Sequence, residues 1–119
     1  ASFPTYMLTH WVRDRAAGTL ELPAAVRELT SVPARVAGLA DRGRIALGYK
    51  ADLNVIDAGA LRLHRPVVVD DLPAGGRRLD QTAEGYVATI VSGEVIAENG
   101  RPTTARPGKL IRGRRSAPA

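Results

Sequence analysis

The fold is decided by residues 29–57, which read LTSVPARVAGLADRGRIALGYKADLNVID. Before Asp41 the apolar residues of the chain recur at roughly the 3.6-residue period of a helix, and after it they follow the period of two that is typical of strands. Within Ala51 to Ile56, Leu53 and Val55 fall on one face of a predicted strand. The chain is therefore predicted to be helical in its first third and rich in strands in the remainder.

The first of three predicted helices runs from Thr5 to Ala17 and is ended by Gly18. Its apolar residues Tyr6, Met7 and Trp11 recur at helical spacing, and charged residues occupy the opposite, solvated side. This pattern is typical of an amphipathic helix that packs along one face.

The second and third helices are each placed by a proline. The second runs from Leu22 to about Thr30, with Pro23 in its first turn, where the missing N–H costs nothing. The residues predicted to share its apolar face are Leu22, Val26 and Leu29. The third helix opens at Pro33, and Gly38 is the residue expected to stop it.

The clearest strand pair is a hairpin of residues 86–91 and 94–98, closed by Ser92-Gly93, which is compatible with a two-residue turn. Pairing Val91 with Glu94 sets the register. The predicted apolar pairs are Ile90–Val95 and Ala88–Ala97, and the predicted mixed pairs are Thr89–Ile96 and Val87–Glu98. The apolar face needs a further layer, supplied by the helices, by strands of an absent amino-terminal region or by a second copy of the chain.

A long connection, from Leu61 to Gln81, separates the first strand from this hairpin and carries Pro66, Pro73 and Gly75-Gly76. It is too long to be a passive loop in a compact domain. The apolar run Val67 to Val69 leaves room for one further short strand.

The charge of the chain is basic, with 17 Lys+Arg against 12 Asp+Glu, so nucleic acid has to be considered as a partner. Arg112, Arg114 and Arg115 form a short cluster near the end, and the other basic residues are scattered among acids. Nucleic-acid binding usually needs a continuous basic stripe or stacking aromatic residues, and aromatic residues make up only 4% of the chain. A solvated surface is the favoured interpretation, and nucleic acid is not expected.

The chain has no cysteine, which excludes thiolate metal ligands, disulfides and a cysteine nucleophile from these residues. It shows no secretory signal and no apolar run near the roughly 20 residues that a membrane span needs. We therefore expect a soluble, cytoplasmic protein without a membrane partner. The sequence opens at Ala1-Ser2 rather than with methionine, which is weak support for a truncated chain.

Candidate catalytic residues are few. His10 and His64 stand on different elements without the spacing of a zinc motif. His10 is interpreted as a residue beside a packed helix in preference to one lining a substrate pocket, and His64 as an ordinary loop histidine. No serine lies in a nucleophile elbow.

Two further features of the long connection carry charge. Asp70-Asp71 could serve as paired carboxylates, but adjacent side chains of an extended segment point apart. The run Gly75-Gly76-Arg77-Arg78 could cradle an anion, yet a turn with exposed arginines explains it better. No catalytic, cofactor-binding or metal-binding residue is therefore predicted in this chain.

Several segments resemble known amidohydrolases. In that family a helix beginning near a proline leads to a Gly-x-Ile turn, and a Gly-x-x-Ala-Asp-Leu turn enters a strand of a small β-sandwich. The matching segments are Leu29–Leu39, Asp41–Ile45, Gly48–Leu53 and Val55–Asp57, then Ile90–Ile96, in which Ser92 stands where Asn is usual, and Asn99–Arg101. The segments that resemble the N-acyl-D-amino-acid deacylase (D-aminoacylase) branch are Ser2–Tyr6, Asp71–Leu79 and Thr103–Gly108.

This resemblance covers almost the whole chain and implies an α+β fold. Residues 1–40 would supply the carboxy-terminal helices of a (β/α) barrel, and residues 41–119 the carboxy-terminal part of the β-sandwich. The resemblance also implies that the intact enzyme uses zinc-activated water to hydrolyse the amide bond of an N-acyl-D-amino acid.

The metal-binding residues and the general-base aspartate of this family all lie upstream of the position that matches Ser2. The chain is therefore expected to be an inactive fragment that holds no metal. Its expected partner is the missing amino-terminal barrel of the parent, with a homo-oligomer as a further option.

The conspicuous residues of the matching segments are interpreted as structural. Gly38, Gly43 and Gly48 are expected to serve turns that need a positive φ or a close backbone approach. Asp52 is expected to accept backbone N–H bonds at a strand entry, and Pro33 to start a helix.

Two alternative functions remain open. The first is another amidohydrolase branch, such as a dihydroorotase-like or other cyclic-amide hydrolase, because the segment from helix to sandwich is shared more widely than the flanks. The second is a non-enzymatic module, either a basic nucleic-acid binder or a small homo-oligomer whose strand edges pair.

Overall fold

The helices precede all of the described strands in the computed structural model, which describes residues 2–118. The helical elements are α1 (Phe3–Tyr6), its π-helical continuation (Met7–Asp14, the π segment), α2 (Leu22–Leu29) and α3 (Ser31–Val36). The strands are β1 (Leu53–Ile56), β2 (Arg62–Leu63), β3 (Val67–Leu72), β4 (Gly76–Asp80), β5 (Ala83–Glu84), β6 (Tyr86–Val91), β7 (Glu94–Glu98) and β8 (Arg101–Pro102). This block arrangement is compatible with the predicted α+β class.

The strands form one larger sheet and two ribbons. Strands β1, β6, β7 and β8 make an antiparallel four-stranded sheet in that order. Strands β3 and β4 pair as one antiparallel ribbon, and β2 and β5 pair as another. The β6–β7 hairpin therefore occupies the centre of the main sheet, with β1 on one side and β8 on the other.

The β6–β7 hairpin has the predicted strands and turn, with Ser92 at φ 53° and Gly93 at φ 84°. Its first pairs, Val91 with Glu94 and Ile90 with Val95, are also as predicted. Beyond Ile90 the register shifts, and the observed pairs are Thr89–Ala97 and Ala88–Glu98. The predicted pairs Ala88–Ala97, Thr89–Ile96 and Val87–Glu98 were therefore wrong, because a one-residue bulge moves every later residue to the other face.

Strand β1 begins at Leu53, later than the predicted start at Ala51. Its pairing with β6 shifts between Val55 and Ile56. Val55 is exposed while Ile56 is partly buried, so the predicted strict alternation is wrong at this end. A bulge again explains the difference, since it turns the strand out of its simple period of two.

The first helix winds differently from the prediction. After Tyr6 the backbone hydrogen bonds of the helix span five residues instead of four. The N–H of Arg15 donates to the carbonyl oxygen of His10, five residues earlier, at 3.1 Å. The helix ends at Asp14, not Ala17. Such π-helical winding is rare and often accompanies functional sites.

The packed side of this helix is polar. Thr5 and Thr9 are only 5% and 6% exposed, whereas Tyr6 and Trp11 lie in contact with solvent. The expected packing along Tyr6 and Trp11 was therefore wrong. Burial of Thr9 is tolerated because its hydroxyl donates to the Thr5 carbonyl oxygen at 3.0 Å.

Helix α2 starts at Leu22 as predicted, with Pro23 in its first turn. It buries Ala25, but Leu22 and Val26 are 50% and 41% exposed, so most of its apolar stripe is open. Helix α3 starts at Ser31, before the predicted Pro33. Pro33 is accommodated there because the N–H groups of a first turn have no partner within the helix.

The glycines that follow α3 have the predicted backbone. Gly38, Gly43 and Gly48 have φ values of 71°, 84° and 78°. A Cβ placed on Gly43 would lie 2.7 Å from the Ala34 Cβ and 2.9 Å from the Thr30 carbonyl oxygen. The chain after α3 can therefore lie against the helices only with glycine at this position.

The connection between β1 and β6 contains more structure than the one short strand predicted. It includes β2 and the β3–β4 hairpin, whose short 3-10 turn spans Pro73–Gly75 and holds Ala74 at φ 59°. Strand β4 was missed because Gly76-Arg77-Arg78 has little strand propensity of its own. Cross-strand ion pairs, described below, contribute to its pairing.

Among the described residues, Ala25 and Leu61 are the only apolar ones that are fully buried. The large apolar side chains that are 61% to 100% exposed are Phe3, Val36, Ile45, Leu47, Val68, Leu79 and Leu110. The accessible surface is 8963 Å², against about 6,200 Å² expected for a compact monomer of this mass. The radius of gyration is 16.3 Å, against roughly 13.5 Å for a compact domain of this length. The helices and the sheet thus leave apolar surface for a further layer.

Candidate functional site

His10 lies on the π segment among aromatic side chains. Its ring stacks on Tyr6 with centroids 4.9 Å apart and meets Trp11 edge-on at 5.4 Å. The guanidinium of Arg15 covers the Trp11 ring at 4.3 Å. The imidazole is therefore positioned by ring contacts on its own helix, which is a packing environment.

His64 lies at the end of the β2–β5 ribbon. Its Nε2 is 3.0 Å from Glu84 Oε1, and the His64 side chain is 40% exposed. Its carbonyl oxygen accepts a bond from Gln81 Nε2 at 2.7 Å. His64 thus helps to close a ribbon at the surface, and the carboxylate that it contacts, that of Glu84, is exposed.

The two histidines are not brought together with other ligands. Within residues 2–118, no group of three or more His, Cys, Asp or Glu side chains is placed to hold a metal ion. A protein zinc site needs three or four such ligands. The described residues therefore do not fit a zinc centre by themselves.

Asp70 and Asp71 are each paired across the β3–β4 hairpin. Asp70 lies 2.9 Å from the Nε of Arg77, and Asp71 accepts two bonds from Arg78 at 2.8 and 2.7 Å. The bonds from Arg78 lower the pKa of the Asp71 carboxyl below its ordinary value, against a smaller opposing effect of desolvation. Each acid thus faces an arginine of the opposite strand.

The segment Gly75-Gly76-Arg77-Arg78 forms the end of that hairpin. Gly75 completes the turn with φ 70°, and Gly76 begins β4. Arg78 donates to Asp80 as well as to Asp71, at 2.8 Å. Both arginines are therefore occupied by carboxylates, and the segment is a turn with paired, exposed arginines.

A cavity of about 250 Å³ lies between β5 and the start of β6. Its two carboxylates, Asp57 and Glu84, have other partners. Asp57 Oδ1 accepts the backbone N–H groups of Gly59 and Ala60 at 2.9 and 3.0 Å, which forms an Asx-type turn. Glu84 faces His64. The cavity thus has no pair of convergent acids for general acid/base chemistry.

Asp52 joins the linker that precedes β1 to the central hairpin. Its Oδ1 accepts the backbone N–H of Ser92 at 2.8 Å, which confirms the predicted role, and its Oδ2 accepts from Arg42 at 3.1 Å. Arg42 also binds Asp41, at 3.0 Å from its Nε. These bonds lower the pKa of Asp41 and raise that of Arg42. The sequence alone did not single out Arg42, because its partners are recognisable only once the linker has folded.

The described part of the chain has no helix of the length and apolarity that crossing a membrane requires.

The model of a family described as the Amidohydrolase family matches residues 1–97. The chain is 37% identical over 108 residues to an N-acyl-D-glutamate deacylase from Alcaligenes xylosoxydans xylosoxydans. That match covers 91% of this chain and 20% of the relative, so the chain spans about a fifth of the length of the curated relative it matches. No solved structure matches the chain.

Proposed function

Because the chain belongs to the amidohydrolase family and is D-aminoacylase-like, we propose that it is the carboxy-terminal part of a longer hydrolase. The substrate of that hydrolase is an N-acyl-D-amino acid, and the bond cleaved is its amide bond. The observation that carries this proposal is the 37% identity to an N-acyl-D-glutamate deacylase over 91% of the chain.

Within the longer protein, residues 1–40 are proposed to supply late helices of a (β/α) barrel, and residues 41–119 part of an attached β-sandwich. The exposed apolar side chains support this division. Ile45 and Leu47, near the start of the second part, are 90% and 100% exposed. Large apolar surfaces that are left open to solvent often mark a contact with another element. We propose that the remainder of the same protein covers them.

The chemistry of the longer protein is proposed to use zinc, which would activate water and polarise the amide carbonyl. The described residues of this chain do not fit such a site, since no ligand group is assembled among them. The role proposed for this chain is therefore structural. It packs against the barrel and completes the sandwich, and by itself it is inactive.

The direct test compares the 119-residue chain with the protein at its natural length, each supplied with zinc. Hydrolysis of N-acetyl-D-glutamate is followed by release of the free amine. We expect turnover by the natural-length protein and none by the chain alone. Turnover by the purified chain, with stoichiometric metal bound, would overturn the structural role.

Further substrates separate this activity from that of other amidohydrolases. N-acetyl-L-glutamate tests the configuration of the substrate, and dihydroorotate tests cyclic amides. Faster hydrolysis of dihydroorotate than of N-acetyl-D-glutamate would assign the protein to a cyclic-amide branch.

A pair of matched variants tests whether the rest of the protein covers the side chain of Leu47. In the natural-length protein, Leu47→Asp is expected to lower stability by about 2–3 kcal/mol, because it places a charge where an apolar side chain is buried. Thr104→Asp introduces the same charge at an exposed polar residue and is expected to change stability by less than about 0.5 kcal/mol. Equal, small effects of the two variants would show that Leu47 remains in solvent.

A further inference from the structure

We propose that the chain has a binding site for a small polyanion, in a cleft of about 440 Å³ where the end of the chain meets the segment after α3. The ligand class is a molecule with two or more clustered anionic oxygens, of which a diphosphate group is the best fit. The six side chains that would form this arginine cleft are Arg35, Arg42, Arg44, Tyr49, Arg114 and Arg115. The proposal does not depend on hydrolase activity.

The fold brings these arginines together from distant parts of the sequence. Leu39 and Arg115 form a parallel β-bridge, in which the N–H of Arg115 donates to the Gly38 carbonyl oxygen at 2.9 Å. The N–H of Ala40 donates in turn to the Arg115 carbonyl oxygen at 3.2 Å. This bridge anchors the basic end of the chain beside α3, which carries Arg35.

Glycine permits this close approach. A Cβ on Gly38 would lie 2.8 Å from the Cγ of Arg114, so the arginine side chain lies directly over the glycine backbone. A side chain at this position would force the stem of Arg114 to shift. The packing therefore holds the Arg114 stem at one wall of the arginine cleft.

The charges in the cleft are unbalanced. Of its five arginines, Arg42 alone pairs with carboxylates, those of Asp41 and Asp52, at 3.0 and 3.1 Å. Within residues 2–118, no carboxylate lies within 4.0 Å of the other four. Like charges gathered at a partly enclosed surface repel one another, and a multiply charged anion relieves that repulsion.

The β3–β4 hairpin provides the contrast within the same chain. Both of its arginines, Arg77 and Arg78, have carboxylate partners across the strands. Arginines that serve only the fold are thus paired there, although they are more exposed than Arg42. Ten arginines of residues 2–118 have no carboxylate within 4.0 Å, and four of these, from three separate segments of the chain, meet at the cleft. The other six, which are not part of the cleft, are Arg15, Arg62, Arg65, Arg101, Arg106 and Arg112.

The chemistry of the cleft favours a diphosphate over a monovalent anion. Each guanidinium presents a planar fork that matches two oxygens of a phosphate. Arg44 lies 5.9 Å over the ring of Tyr49, so that ring also borders the cleft and supports one of its arginines. The volume falls in the range of small-molecule pockets, whereas nucleic acid would need a longer basic stripe.

The test is isothermal titration of the protein at its natural length with inorganic pyrophosphate, at constant ionic strength. We expect saturable binding of one pyrophosphate per chain, with orthophosphate and acetate at least about tenfold weaker because they engage fewer guanidinium groups. ADP, used as a second probe, distinguishes a diphosphate carried on an organic molecule from free pyrophosphate. Tighter binding of ADP than of pyrophosphate indicates an organic carrier, and weaker binding indicates the free anion.

Two double variants with the same change of net charge provide the control. Arg35→Gln with Arg44→Gln, on segments that do not include the chain end, is expected to weaken pyrophosphate binding by at least about tenfold. Arg77→Gln with Arg78→Gln is expected to leave it unchanged, and circular dichroism checks that both variants are folded.

Two results would overturn the proposal. They are the absence of saturable pyrophosphate binding and an equal loss of binding in both double variants. The second would show a general effect of net charge.

Discussion

The side-chain hydroxyl groups of Thr5 and Tyr86 lie 2.8 Å apart. Thr5 belongs to the first turn of α1 and is 5% exposed, and Tyr86 is the first residue of β6. This hydrogen bond joins the helical block to the main sheet, between residues that are 81 positions apart in the sequence. Within residues 2–118 it is the one hydrogen bond of the Thr5 hydroxyl, which makes it a sensitive point for stability.

Tyr86→Phe is expected to lower the free energy of unfolding by about 1–2 kcal/mol, because the buried Thr5 hydroxyl loses its partner. Thr5→Val removes the same bond from the other side. In a double-mutant cycle measured by urea denaturation, the two effects should be coupled by roughly 1 kcal/mol. Fully additive effects would mean that the two hydroxyls do not interact.

Gly85→Ala is expected to cost at least about 2–3 kcal/mol of stability. A Cβ there would lie 2.5 Å from the Leu61 Cα and 2.7 Å from the Leu61 nitrogen, and Leu61 is one of the few buried apolar residues. The backbone of Gly85 also has φ 91°, which strains any other residue.

Gly93→Ala separates the two causes. Gly93 has φ 84° but no atom within 4 Å of an added Cβ, so alanine there should cost only the backbone strain of about 1–2 kcal/mol. Thermal unfolding of both variants checks the difference. Equal losses would show that the contact with Leu61 relaxes without cost.

Asp52→Ala is expected to destabilise the protein by roughly 2–3 kcal/mol, because the backbone N–H of Ser92 and the guanidinium of Arg42 both lose an acceptor. Asp52→Asn keeps a carbonyl oxygen for Ser92 and removes only the charge that faces Arg42. Its loss should be about half as large, since Arg42 retains Asp41. If the two variants lose the same amount, the bond to Ser92 contributes nothing.

The ion pair of Asp71 with Arg78 is expected to stabilise the β3–β4 hairpin in a pH-dependent way. The folded-state pKa of Asp71 is lowered from its ordinary value near 3.8, because Arg78 donates to the ionised carboxyl. The folded state therefore binds fewer protons, and the stabilisation is fully present above that ordinary value and is lost as the pH falls through the folded pKa.

The measurement for Asp71 is the urea midpoint of the protein and of Asp71→Asn between pH 7 and pH 2. The midpoints should differ at pH 7 and converge at the acid end. Asp80→Asn, which removes the second carboxylate of Arg78, is a comparison in the same hairpin. A difference between the protein and Asp71→Asn that stays constant with pH would contradict the role of the Asp71 charge.

The sequence predicted the local features of this fold. It placed the change from helices to strands near Asp41, the strands and turn of the β6–β7 hairpin, and the positive φ of Gly38. These features depend on backbone preferences and side-chain spacing over a few neighbouring residues, so they are visible in the chain itself. The amidohydrolase family was indicated separately, by the resemblance of segments such as Gly48–Leu53 to known members.

The tertiary structure decided which faces are buried and which charges meet. Packing placed Thr9 inside and Trp11 outside, and the bulge in the main sheet paired Ala88 with Glu98 instead of the predicted Ala97. The bridge from Leu39 to Arg115 gathered arginines that are scattered in the sequence into one cleft. Such outcomes depend on contacts between residues far apart in the chain, whose energies no local pattern contains.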